Sequence, residues 1–328
     1  MMSFKRQGFV CAVLSIILFF SFSLIKVNAS SEFVYLGGMP AGFSMYTRGA
    51  DVVGLCDVVT EKGIESPAKD IDIKVGDKIL FINEFPVDNA FDIEKALIKE
   101  GDKNLTIERN GEIFLERIKP VKDLSGKYKL GLFVRDEVSG IGTVTFIKGK
   151  RFASLGHPVV DEDGKILKIT GGKAYSCNIT GYVKGERGKA GELRGVFLRN
   201  NFIAQIDKNT EYGVYGNISE CLELTKLKEI KIGQAKMGDA YIYSTIDGKT
   251  PKYYSISIIK VDNSQNTKNF VIKINDKELI SSTGGIVQGM SGSPIVQNGS
   301  LVGAVTHVFI NDPTRGFGLS IDKMLNFL

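Results

Sequence analysis

The sequence predicts a mainly β protein in two folded parts behind an apolar N-terminal segment. Three observations predict it. Beyond residue 30 the apolar residues fall in short runs split by glycine, the pattern of short strands and tight turns. Helical spacing is confined to residues 92–98 and 322–328. A polar stretch with a helix-breaking proline, Lys119-Pro120-Val121-Lys122-Asp123-Leu124-Ser125-Gly126, suits a domain boundary. The 328 residues, 43% of them hydrophobic, suffice for two cores.

Composition narrows the function classes. The net charge of +5 comes from scattered lysines, with no basic stripe interleaved with aromatics, which argues against nucleic acid as a partner. Cys11, Cys56, Cys177 and Cys221 show no Cys-X-X-Cys spacing. Cys11 falls in the N-terminal apolar run. The other three read as buried small hydrophobes, and neither a metal site nor a disulfide framework is expected. No cofactor is implied.

Residues 1–29 read as a signal peptide or membrane anchor. Lys5 and Arg6 precede an uncharged run from Gly8 to Ile25, and Val27-Asn28-Ala29 resembles a small-residue cleavage site. The run is just long enough to span a bilayer. The positive residues before it keep the N-terminus cytoplasmic and send the remainder outside, so the folded parts are expected to be extracytoplasmic.

The first folded part is expected at residues 30–120. Val52-Val53-Gly54-Leu55 is an apolar strand, and Ser66-Pro67-Ala68 breaks the chain. Lys74-Val75-Gly76-Asp77 is a turn feeding Lys78-Ile79-Leu80-Phe81-Ile82-Asn83. Ile93, Ala96 and Leu97 share one helical face. Leu105 to Phe114 makes a hairpin around Asn110-Gly111. The order Val-Gly-Asp-X-Ile-X-X-Ile-Asn, helix, closing hairpin resembles a PDZ domain. That resemblance implies capture of an extended peptide or chain terminus at a sheet edge. The glycine-rich loop that would hold it is matched to Gly42, Phe43, Ser44 and Met45, with Ser44 where a second glycine is usual.

The second part, residues 126–328, continues with strands such as Gly140-Ile141-Gly142-Thr143-Val144-Thr145-Phe146 and Tyr253-Tyr254-Ser255-Ile256-Ser257-Ile258-Ile259. About 200 residues of this kind fit a sandwich or two six-stranded barrels. Near its end stands Gly289-Met290-Ser291-Gly292-Ser293-Pro294. Its glycines permit a tight turn that lifts one serine hydroxyl clear. The backbone N–H groups of Gly289 and Ser291 then converge where an oxyanion could sit. Two apolar runs around Asn298-Gly299 form a hairpin behind it. Nucleophilic serines of chymotrypsin-like peptidases are mounted this way; a plain glycine-serine turn between buried strands is the alternative.

A serine nucleophile needs a base, and the chain has only two histidines. His157 follows a strand end in Ser154-Leu155-Gly156-His157-Pro158 and is the favoured base. His307 lies inside the strand Ala304-Val305-Thr306-His307-Val308-Phe309, placed to line a substrate groove or to sit half-buried. Asp276, Asp161, Asp163, Asp136 and Asp262 are candidates to orient the imidazole. Asp161 and Asp163 have an adequate role in the turn Asp161-Glu162-Asp163-Gly164. Spacing does not separate the five.

The N-terminal segment, the PDZ-like part, Gly156-His157-Pro158-Val159-Val160-Asp161 and Thr283-Gly284-Gly285-Ile286-Val287-Gln288-Gly289-Met290-Ser291-Gly292-Ser293-Pro294-Ile295 together resemble the stage IV sporulation protein B serine peptidases. The resemblance spans essentially the whole chain. It implies a triad of His157, Asp276 and Ser291. It implies a self-cleaving endopeptidase that also cuts a membrane-bound regulatory protein, in the space between forespore and mother-cell membranes, and so triggers activation of a late sigma factor. The rivals are a PDZ-bearing binding scaffold with an inactive peptidase fold, and a general extracytoplasmic quality-control protease. In the familiar proteases of the latter kind the PDZ domain follows the peptidase.

Overall fold

The computed structural model describes residues 32–161 and 163–328. The expected signal or anchor segment at residues 1–29 lies outside them. Among the described residues no helix is long and apolar enough to cross a membrane.

One strand ties the fold together. After β1 (Phe33–Leu36), β2 (Pro40–Leu55) runs for 16 residues. Its first half is paired on both edges. Pro40 to Tyr46 face Thr143 to Glu137 of β6 (Leu132–Lys148) on one side. On the other, Ala41 to Thr47 face Ser176 to Ile169 of β8 (Ile169–Val183). From β6 the pairing passes to β7 (Arg151–Ser154), then β10 (Gly213–Ile218), β9 (Glu192–Thr210) and back to β8. The ring of six strands closes, which leaves no edge exposed along it. Phe43, Met45, Val144, Phe152, Leu155 and Ile206 are buried together in its core.

A second ring follows the same logic. β12 (Gly238–Ser244), β13 (Lys252–Val261), β14 (Phe270–Ile274), β17 (Asp312–Ser320), β16 (Ser300–Phe309) and β15 (Pro294–Gln297) pair in turn and return to β12. Ile242, Tyr254, Ile256, Ile272, Ile295 and Val305 are in its core. β11 (Glu229–Ile232) links the rings, antiparallel to β1 and parallel to β16.

The second half of β2 leaves the first ring. Val52 to Leu55 pair with Val134 to Leu132 of β6, and Ala50 and Asp51 with β3 (Lys78–Ile82). β3 pairs with β4 (Lys103–Arg109), and β4 with β5 (Glu112–Ile118) around Asn110 and Gly111, both at positive φ. Helix α1 (Ala90–Ala96), capped by the Asn89 side chain, lays Ile93 and the following Leu97 onto this sheet. Their core of Val52, Ile79, Ile82, Leu105, Ile107, Ile118 and Leu130 is separate from those of the rings.

These pairings correct the simple succession of a part at 30–120 and a part at 126–328. Residues 40–47 belong to the first ring, with β1 paired onto its strand β6, and the small core reaches to Leu130. It is an insertion between two neighbouring strands of that ring. Cys177 is buried as expected, but Cys56 is half-buried and Cys221 is exposed, because it falls in the loop after β10 rather than in a strand.

Candidate active site

His157 and Ser291 reach one cleft from different rings. At the end of β7, Leu155 and Gly156 both have φ of 69°, and that turn presents His157. For Leu155 the left-handed backbone is costly, and its side chain is held in the first core. On the other side Gly289 has φ of 96° and Gly292 of 92°. A Cβ on Gly292 would stand 2.1 Å from the Thr143 carbonyl oxygen and 2.5 Å from Leu155 N, so only glycine lets the serine turn press against the histidine turn.

The junction is hydrogen-bonded throughout. Thr143 N–H donates to the Ser291 carbonyl at 2.9 Å, Thr143 Oγ1 to the Gly289 carbonyl at 2.9 Å, and Thr145 Oγ1 to the Gly292 carbonyl at 2.7 Å. Strand β6 of the first ring thus fixes the serine turn of the second. The cleft between them has a volume of about 440 Å³, and Phe43, Met45, Leu155, His157, Ser291 and His307 are among its lining residues.

Ser291 is half-buried, and its Oγ donates to the Thr306 carbonyl at 2.9 Å. Ser293 is fully buried; its Oγ donates to the Met290 carbonyl at 2.6 Å and lies 2.8 Å from Ser244 Oγ. Ser293 therefore holds the turn, and Ser291 is the serine offered to the cleft. The N–H groups of Met290, Gly292 and Ser293 bond to Val287, Val305 and Met290 carbonyls. Those of Gly289 and Ser291 meet no protein acceptor among the described residues. Two unclaimed donors beside a serine hydroxyl are what an oxyanion site requires.

His157 Nδ1 lies 2.7 Å from the Pro158 carbonyl oxygen. A carbonyl only accepts, so Nδ1 carries the hydrogen and Nε2 keeps its lone pair. Burial lowers the pKa of His157, against the opposing pull of the Pro158 carbonyl. His307 is exposed, and its ring lies 5.1 Å from that of His157. Its pKa is lowered to about 4, first by desolvation of the ring, then by His157 and Lys268.

No carboxylate hydrogen-bonds to His157 among the described residues. Asp276 caps helix α2 (Lys277–Thr283), its Oδ1 accepting from Leu279 N at 2.9 Å and its Oδ2 from Ser255 N at 3.3 Å. It does not line the cleft. Asp161 closes its own turn with the N–H groups of Asp163 and Lys165, and Asp163 pairs with Lys165. Asp136 accepts from Ala90 N, and Asp262 from Ser264.

The matched peptide loop is corrected outright. Gly42, Phe43, Ser44 and Met45 are buried in the first half of β2 with both edges paired, so no peptide strand can add there. A Cβ on Gly42 would fall 2.3 Å from the Phe197 ring. Phe43 and Met45 instead line the cleft beside Ser291. A second groove lies elsewhere, about 540 Å³ between α1 and the start of β6, lined among others by Val58, Ile93, Leu97, Leu130 and Leu132. Leu130-Gly131-Leu132-Phe133 carries the alternation of apolar residue and glycine that could have pointed there.

Comparison with known proteins gives two results. The sequence profile of the family described as SpoIVB peptidase S55 matches residues 126–325. A solved structure described as "Crystal structure of Rv3671c protease, inactive form" aligns at 14% identity over 57% of this chain and 81% of that chain, with a TM-score of 0.34. No curated protein matches the chain.

Proposed function

The chain belongs to the SpoIVB peptidase S55 family, a family of serine peptidases, and on that premise we propose that it is a serine endopeptidase with Ser291 as nucleophile and His157 as base. Ser291 Oγ leaves the Thr306 carbonyl and attacks the scissile carbonyl carbon while His157 Nε2 takes its proton. The N–H groups of Gly289 and Ser291 receive the oxyanion. The imidazolium returns the proton to the leaving amine, and the acyl-enzyme is released by water through the same base. The observation that carries this is the pair of unclaimed N–H groups flanking a half-buried serine in the cleft of a histidine whose Nε2 is free. The test is reaction of the purified protein with a fluorophosphonate, mapped by peptide mass. Labelling at Ser291 is expected, and absence of any labelled serine would sink the proposal.

The finer reading is a signalling protease that cleaves itself and a membrane-associated regulatory protein outside the cytoplasm, in the forespore setting. It is supported by the family and by the N-terminal apolar run. A chain segment of the substrate would dock in the groove between α1 and β6. There residues 132–134 pair with β2 along one edge, and their other edge faces the groove without a strand partner among the described residues. That arrangement favours strand addition.

A further inference from the structure

We propose that the His157 imidazole is oriented by the Pro158 carbonyl, that Asn209 is the positioning residue which holds that carbonyl in place, and that Asp276 serves the fold and not the base. This rests on the proposed role of His157 and deepens it.

A histidine base in this chemistry needs its far nitrogen held as a hydrogen donor, so that the near one faces the serine with a lone pair. A buried carboxylate is the usual acceptor. Here the acceptor is a main-chain carbonyl at 2.7 Å, one residue along. A carbonyl supplies the geometry and the tautomer without the negative charge. It works only if the peptide unit behind it cannot rotate.

Asn209 provides that restraint. Its Oδ1 accepts from Val159 N at 2.9 Å. Its Nδ2 donates to the Val159 carbonyl at 2.8 Å and to the Leu167 carbonyl at 2.9 Å. One acceptor and both donors of the amide are thus spent on this loop. The Val159 N–H belongs to the same peptide unit as the Pro158 carbonyl, so the bond to Asn209 and the bond to His157 leave opposite ends of one planar group. The strand register explains the placement. Ser154 of β7 faces Val214 of β10, and Val214 faces Asn209 of β9. Asn209 therefore stands level with the strand end from which the His157 turn springs. An aspartate there would keep the acceptor but set a charge against two carbonyl oxygens, and a leucine would leave the Val159 N–H and the Leu167 carbonyl unpaired, while the Val159 carbonyl keeps the Leu167 N–H at 2.9 Å.

Asp276 has a complete role without catalysis. It is an N-cap, where asparagine and aspartate are about equally good, with its second oxygen on Ser255 N. That equivalence separates the two readings. A triad acid replaced by its amide costs on the order of 10⁴-fold in kcat, whereas a cap replaced by asparagine costs little.

The experiment uses the folded enzyme, labelled with ¹⁵N-histidine. With two histidines in the chain, a His307→Gln variant assigns both. At pH 8, His157 is expected to show a hydrogen-bearing Nδ1 and a bare Nε2. Asn209→Ala should redistribute the tautomer and slow fluorophosphonate reaction at Ser291 by about 100-fold, the scale of a misplaced catalytic group, with little change in KM for a peptide substrate. Asp276→Asn should react near the wild-type rate. Asp276→Ala should lower Tm while its folded fraction still reacts. A bare Nδ1 in the wild type overturns the proposal. So does an Asp276→Asn protein with wild-type Tm that is as inert as His157→Ala. If Asn209→Ala does not fold, the wild-type tautomer and the Asp276→Asn rate still decide. Labelling of Ser291 in His157→Ala at the wild-type rate would instead overturn the peptidase assignment on which this rests.

Discussion

The rings of His157 and His307 lie 5.1 Å apart, tilted by 42°, and both line the cleft that Ser291 also lines. Desolvation lowers the pKa of both, and the charge of His157 lowers that of His307 further. In the proposed mechanism His157 must be neutral to accept the serine proton. The acid limb of kcat/KM is therefore expected below the ordinary histidine value of about 6.5. A pH–rate profile on a peptide substrate checks this, and a midpoint at or above 6.5 would contradict the burial of His157.

Stability follows the same sign. Both folded-state values are lowered, so between pH 6.5 and about 4, the value for His307, the unfolded chain binds more protons than the folded one. Stability should fall as pH drops through that window and rise as pH is raised through it. Urea midpoints at pH 7.5 and pH 5 measure the difference, and His307→Gln should shrink it.

The two serines of the turn should separate cleanly. Ser291→Ala is expected to abolish labelling and self-cleavage, a loss on the order of 10⁴-fold or more, with Tm little changed. Ser293→Ala removes bonds to Met290 and Ser244 inside the protein. It should cost about 1–3 kcal/mol of stability, the price of buried partners left unpaired, while the folded enzyme still labels at Ser291. Retained self-cleavage in pure Ser291→Ala protein would reverse the assignment.

Phe43 and Met45 give a prediction that the sequence pointed away from. Because they line the cleft, Phe43→Ala should change which side chains are accepted next to the scissile bond, seen as altered relative kcat/KM across a peptide series. Gly42→Asp does not probe a peptide loop. Its Cβ would collide with the Phe197 ring at 2.3 Å, and its carboxylate would be buried without a partner. Loss of the folded state, and of every activity together, is the expected result by circular dichroism.

What was legible in the sequence was local. The Asn110-Gly111 and Asn298-Gly299 turns, the strand runs and helix α1 follow from neighbouring residues, and so do the turns that present His157 and Ser291. The double membership of β2 was not legible. The partners of Gly42, Ile141 and Tyr175, lie about a hundred residues or more away, and nothing local records that both edges are taken. A Gly-Phe-Ser-Met stretch reads equally as a loop and as a strand with room for Phe197. Asp276 was legible in part. An aspartate just before Lys277-Glu278-Leu279 is an N-cap signal, while its assignment to a triad comes from the family resemblance and not from spacing. Asn209 carried no signal, because its bonds run to Val159 and Leu167, roughly 40 to 50 residues earlier.

The groove between α1 and β6 should govern which protein is cut and leave the cutting chemistry alone. Its walls are apolar, with Ile93 and Leu97 from the helix and Leu130 and Leu132 from the strand side. The strand edge at residues 132–134 offers backbone groups to an extended segment. A segment held there raises the local concentration of its attached chain at the cleft to roughly mM, if the connecting length permits. Ala90 lies at the lip of the groove and is exposed; its backbone N–H, not its side chain, binds Asp136. Ala90→Trp should obstruct the groove and leave that bond in place. Cleavage of a protein substrate and self-cleavage between molecules should then fall sharply. Fluorophosphonate reaction at Ser291 should keep its wild-type rate, since it needs only the serine, the base and the two N–H groups. Both rates are measured on one preparation, with circular dichroism as the control for folding. Parallel loss would mean that the inserted core holds the first ring in its active shape through β2 and β6, and loss of neither would leave the groove without a role in substrate choice.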